Sequence, residues 1–129
     1  MRPVAIGARG LYRIEPTQAH TASAIGNDGV HVVSTPALIG FLEDASHRAI
    51  RDCYEAGEVS VGTKVDIEHL AAAPLGQAIE ASAEVVAVQG RRVDFKVEAH
   101  QGGRLVMQGR HQRAVVDLAR FLAGETRPR

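Results

Sequence analysis

The stretch Val59–His69, VSVGTKVDIEH, decides the fold. Its odd positions read Val, Val, Thr, Val, Ile and finally His, while its even positions read Ser, Gly, Lys, Asp and Glu. Such alternation marks a strand with one apolar face, so the odd row is expected to point at the core. The row nevertheless ends on an ionisable ring, His69, which packing alone does not ask for.

Working outward, the same period recurs downstream. Gln77–Val88 carries Ile79, Ala81, Ala83 and Val85 on one face, and after the turn QGRR the residues Val93, Phe95, Val97 and Ala99 alternate with Asp94, Lys96 and Glu98. The turn HQGG leads into a last strand over Arg104–Val116, followed by a short helix around Asp117–Leu122. Upstream, Leu11–Glu15 reads as a short strand closed by Pro16, a turn falls at Gly26–Gly29, and Val30–Val33 is a short extended run.

One long helix interrupts the strands. Ser34 or Thr35 can accept the orphan amides of its first turn, and Pro36 suits the first helical position because its missing N–H has no partner there. Leu38, Phe41, Leu42, Ala45, Ala49 and Cys53 follow helical spacing, and Gly57 is a natural stop, which predicts a helix over 36–56. Strands of this length span about 35 Å, whereas a compact domain of this size has a radius of gyration of about 14 Å. They must therefore twist, and the helix, about 30 Å long, is the element to curl around. The expected fold is α+β, an antiparallel sheet wrapped around one central helix. It leaves an edge strand that a second copy could pair with, so a homodimer is expected.

Composition sets the outer limits. At 129 residues the chain suits a single domain over 1–129, with its core at about 11–121 and a polar tail at 123–129. A formal net charge of zero recommends neither nucleic acid nor anionic membrane as partner. MRPVAIGARG lacks the apolar run of a signal peptide, and one cysteine, Cys53, can form neither an internal disulfide nor a zinc cluster. A reducing cytoplasm is the expected compartment.

Candidate chemistry gathers at few places. Glu43 lies on the helix beside Ile39 and Ile50, at the border of the apolar stripe, where it is either a solvated carboxylate or the margin of a cleft. His69 is either a satisfied core histidine or a general acid–base group placed at a strand end, where reactive side chains gather. Helix capping would account for Thr35. His20, His31, His47, His100 and His111 show no metal spacing, so no metal is expected, and Glu43 and His47 are i,i+4 partners that suit a surface pair. Arg91, Arg92, Arg104, Arg110 and Arg113 read as an exposed face or as a phosphate-binding rim. Ala71, Ala72 and Ala73 suit a short-chain pocket or a tight turn.

STPALIGFLEDASHRAI, GEVSVGTKVDIEHLAAAPLG, VQGRRVDFKVEAHQGG and GRHQRAVVDLARF together resemble the hot-dog-fold thioesterases, and closely the fluoroacetyl-CoA thioesterase-like family. The resemblance runs from about Leu11 to Phe121, and its second stretch is the most specific. It implies a hot-dog fold and a homodimer that hydrolyses a small acyl-CoA without a cofactor, CoA being part of the substrate. It also implies Thr35, Glu43 and His69 as the catalytic set, with Gly62 and Arg113 near the pocket. Two departures from the family's fluoroacetyl-handling member stand out. No Phe, Tyr or Trp occurs between Ile14 and Gly40, where that member's lid is aromatic, and Asp44 replaces a bulky apolar residue. Both bear on fluoroacetyl selectivity and leave hydrolysis as the expectation. Thr35 and Glu43 lie eight residues apart, about 12 Å along one helix, so a site combining two subunits is favoured. The rival readings are a non-catalytic acyl-CoA or small-ligand binding module and a hot-dog hydratase or dehydratase using Asp44 and His47.

Overall fold

The computed structural model describes residues 1–124; the expected polar tail lies, from residue 125 on, outside the described residues. Strand β1 (Arg9–Ile14) leads through two 3-10 turns into helix α1 (Thr35–Ile50), and a third 3-10 turn, Arg51–Cys53, follows the helix. Strands β2 (Glu58–His69), β3 (Ile79–Gln89), β4 (Arg92–Gln101) and β5 (Arg104–Asp117) then run in succession to the short helix α2 (Leu118–Leu122). The five strands form one sheet in the order β1-β3-β4-β5-β2, every pair antiparallel. This is the hot-dog architecture, with α1 laid along the concave face of the sheet. No helix among the described residues is long and apolar enough to cross a membrane.

Alternation correctly places the core rows of the central strands. Ile79, Ala81, Ala83 and Val85 of β3 and Val93, Phe95, Val97 and Ala99 of β4 are fully buried against Leu38, Leu42 and Ala45 of α1. At β1 the helix comes so close that a Cβ on Gly10 would run into the backbone of Ala45 and Ala49. Glycine there is what lets helix and strand touch.

Three expectations need correction. The helix ends at Ile50 rather than near residue 56, because the chain tightens into the 3-10 turn and Tyr54 folds back beside His47. The third strand begins at Ile79 rather than Gln77, since the Gln77 carbonyl is taken by the Gln101 side chain. Most consequentially, the odd row of β2 does not face the core throughout. The register with β5 shifts between Gly62 and Lys64, leaving Thr63 as an extra residue, a β-bulge. Before the bulge Ser60 and Gly62 turn toward α1, opposite Val115 and Arg113; after it Val65, Ile67 and His69 share that side, opposite His111, Gly109 and Met107. The bulge thus switches the inward row from even to odd.

Beyond the bulge the inward row is poorly covered. Val65 is 42% exposed, and His69 and Leu70 are exposed as well. β2, paired on one side with β5, is a sheet edge, so among the described residues its other side is an unpaired strand edge with half-naked apolar residues beside it.

Candidate active site

The start of α1 resolves the roles of two neighbours. Ser34 has extended backbone, and its side chain accepts from the Ala37 amide at 3.1 Å, so Ser34 is the N-cap and Pro36 follows inside the first turn. Capping therefore does not account for Thr35. The Thr35 hydroxyl instead meets His69 Nδ1 at 2.7 Å, joining the helix start to the end of β2.

The chain after His69 is fastened from several sides. The Leu70 and Ala71 amides both reach the Val106 carbonyl, the Val33 amide donates to the Ala73 carbonyl, and Arg104 reaches the Ala72 carbonyl. Buried Gln101 donates to the carbonyls of Pro74 and Gln77 at 2.8 and 3.0 Å. Ala71 and Ala72 belong to this pinned turn, directly behind the histidine.

Glu43 sits in a second cluster. Its side chain is 40% exposed and faces Arg113, whose Nη1 donates to Glu43 Oε2 at 3.4 Å. A Cβ on Gly62 would stand 2.5 Å from that same oxygen, so the bare glycine makes room for the carboxylate. Arg113 is buried, and two more of its N–H groups go to Ser60, Nε to Oγ at 2.7 Å and Nη2 to the carbonyl at 2.9 Å. His111, also buried, completes the cluster. Its Nδ1 lies 2.9 Å from the Lys64 carbonyl, which can only accept, so Nδ1 carries the proton and Nε2 is free to accept from Arg113 Nη1 at 3.2 Å. Burial pushes His111 below its ordinary range, with the Arg113 charge acting in the same direction. The 3.8 Å approach of its Nε2 to Glu43 is accordingly not an ion pair at neutral pH.

The single chain thus joins Thr35 to His69, and Glu43 to Gly62 and Arg113, as two clusters about 12 Å apart along α1. Other expectations separate differently. His47 turns to Tyr54 Oη at 2.9 Å while Glu43 turns to Arg113, so the anticipated surface pair gives way to two other contacts. Asp44 binds Arg48 at 2.6 Å and does not join His47 in the pair a hydratase would need. The five arginines form no single rim: Arg113 is buried, Arg91 binds Glu58, Arg92 binds Gln89, Arg104 binds a loop carbonyl and Arg110 is exposed on β5. No three His, Cys, Asp or Glu side chains cluster as a metal would require among the described residues. A groove of about 320 Å³ opens beside Lys64, Asp66, Asp94, Arg110 and His111, and Thr35, Glu43 and His69 do not line it.

Sequence reading missed Ser60, Tyr54 and the role of His111. Gly62 inside an alternating run was the available signal, since an isolated strand glycine suggests a bulge.

Comparison with known proteins bears on this geometry. A family model described as fluoroacetyl-CoA-specific thioesterase matches residues 16–119. The chain is 39% identical over 92 residues to the fluoroacetyl-CoA thioesterase of Streptantibioticus cattleyicolor, a match spanning 71% of this chain and 66% of that protein. The structure is similar to that of the fluoroacetyl-CoA thioesterase FlK, with a TM-score of 0.88, 30% identity and 95% of each chain covered. A FlK variant in complex with acetyl-CoA superposes with a TM-score of 0.90 at 30% identity, covering 94% of this chain and 96% of the other.

Proposed function

The chain belongs to the fluoroacetyl-CoA-specific thioesterase family, and we propose that it is a hot-dog acyl-CoA thioesterase, hydrolysing a small acyl-CoA to the free acid and CoA. The observation that carries the catalytic assignment is the Thr35–His69 hydrogen bond, made by a threonine that the helix does not need as its cap. A hydroxyl both donates and accepts, so Thr35 can hold His69 in either tautomer. His69 can then hand a proton through its outer nitrogen to the departing CoA thiolate and recover one from the water that is consumed. Glu43 either deprotonates a water that attacks the thioester carbonyl and breaks the C–S bond, or attacks that carbonyl itself, expelling the thiolate and leaving an acyl anhydride that water then opens to the free acid. The acyl group is a small one; the absence of lid aromatics and the presence of Asp44 argue against tuning to fluoroacetyl-CoA.

Two clusters about 12 Å apart cannot serve one carbonyl within a single chain. We place the working site in a homodimer formed by antiparallel pairing of two β2 edges. Pairing about a twofold near Asp66 keeps inward rows facing inward, covers Val65 and Ile67, and sets His69 of one copy opposite the Gly62–Thr63 bulge of the other. Glu43, which rests against Gly62, would thereby approach the Thr35–His69 pair of the second copy. A cytoplasmic location is part of the same proposal, in keeping with a single free cysteine.

Release of free CoA thiol tests the assignment. Glu43→Ala and His69→Ala should each lower acyl-CoA hydrolysis by at least about a hundredfold without unfolding the protein. Mixing the two inactive variants under subunit exchange should restore about a quarter of wild-type activity, because half the dimers are mixed and each mixed dimer holds one intact site. Wild-type-like turnover in either variant refutes the catalytic set. No recovery on mixing, with exchange verified, refutes the shared site.

A further inference from the structure

Behind Glu43 runs a line of polar contacts that the reaction itself does not use. Arg113 gives two of its N–H groups to Ser60, one to the hydroxyl and one to the carbonyl, which fixes the plane of the guanidinium. That leaves Nη1 aimed at Glu43 and His111. The Ser60 hydroxyl is itself held by Tyr54, whose Oη donates to it at 2.5 Å. Tyr54 Oη also lies 2.9 Å from His47 Nδ1, and the two rings are tilted together with centroids 5.5 Å apart.

His47 and Glu43 stand one turn apart on α1. The line therefore closes on itself, from Glu43 through Arg113, Ser60, Tyr54 and His47 back to the helix. Burial pushes the Tyr54 phenol above its ordinary range and His47 below its own, the Arg113 charge adding to the latter. At neutral pH the line thus consists of uncharged hydrogen-bonding groups ending on one ion pair, Arg113–Glu43.

We propose that Tyr54 and Ser60 are positioning residues for Glu43: by locking the Arg113 guanidinium they set the direction in which the half-exposed carboxylate is held. The inference rests on the reading of Glu43 as the reacting carboxylate and adds to it the groups that aim it. Neither Tyr54 nor Ser60 touches the substrate. Their contribution belongs to the chemical step and not to acyl-CoA binding.

The test is steady-state hydrolysis of acetyl-, butyryl- and benzoyl-CoA by Tyr54→Phe, Ser60→Ala and the double variant, with Glu43→Ala alongside. On the substrate that wild type turns over fastest, each single variant should lose about tenfold in kcat with KM within about twofold. The double variant should fall no further than the weaker single, because both act through one guanidinium. Thermal melting separates positioning from folding, and if Tyr54→Phe does not fold, Ser60→Ala decides alone. Wild-type kcat in folded Tyr54→Phe and Ser60→Ala, with Glu43→Ala inactive, overturns the inference and leaves the catalytic reading standing. An unchanged kcat with raised KM overturns it too. Wild-type-like turnover by Glu43→Ala overturns both.

Discussion

Ser34 and Thr35 are chemically similar neighbours with separable roles, and the difference can be measured. Ser34→Ala removes the acceptor for the Ala37 amide and should cost about 1 kcal/mol of stability, seen as a lower urea midpoint, with a smaller effect on hydrolysis. Thr35→Val keeps the shape, removes the hydroxyl facing His69, and should lower kcat by about tenfold or more at nearly unchanged stability. A reversed pattern, with Thr35→Val destabilised and active, would return Thr35 to the role of a cap. Sequence narrowed the cap to these two residues but could not choose. The choice depends on which side chain curls back over the first turn and which points across to another element. Arg113 shows the same limit. Five arginines in two strands looked alike in sequence, and only three-dimensional burial separates the one that faces Glu43 from an exposed one that reaches a loop carbonyl or one that binds Glu58.

At the scale of elements, strand and helix existence was legible because β4 and α1 each keep one period from end to end and β3 keeps one from Ile79 to Val85, before its own register shift ahead of Ala87. The inward row of β2 was not legible, since the strand changes parity in its middle, at the bulge. The sheet order, with β3 between β1 and β4, also lay outside what local patterning can say. The contact of α1 with β1 depends on a residue that periodicity does not flag, Gly10. Gly10→Ala places a methyl group into the backbone at Ala45 and Ala49, which cannot yield as a flexible side chain would. Destabilisation of about 1–3 kcal/mol or more is expected in chemical denaturation. A wild-type midpoint would mean that α1 slides freely on the sheet.

For the whole molecule, three groups make stability rise with pH. Glu58 is held at about 2, against an ordinary 4.5, first by the Met1 ammonium at 2.8 Å and then by Arg91 at 2.6 Å. Its folded value is depressed, so its contribution is complete above 4.5 and is lost as pH falls through about 2. His47 and His111 are bases lowered chiefly by burial, so the unfolded chain takes up protons first as pH drops below 6.5. Both effects have the same sign, and the urea midpoint should climb from about pH 2 to pH 7. Glu58→Gln should abolish the step below pH 4.5 and keep the one below 6.5, whereas an unaltered acid step would show that another carboxylate sets it. None of this was readable from a net charge of zero, which counts groups and says nothing about their neighbours.

Thr63 acts on β2 as an inserted letter acts on a reading frame. Upstream of it the strand is read on its even residues, downstream on its odd ones, and the two frames serve the two halves of the chemistry. Drawing Thr63 into the regular ladder, with the bulge ironed out, would restore strict alternation and turn Val59 and Val61 toward the helix, a better pattern by every rule of amphipathic strands. The same straightening would swing Ser60 and Gly62 outward, leaving Arg113 without its anchor and Glu43 without its gap. The bulged strand keeps the worse pattern and, with it, the carboxylate in place.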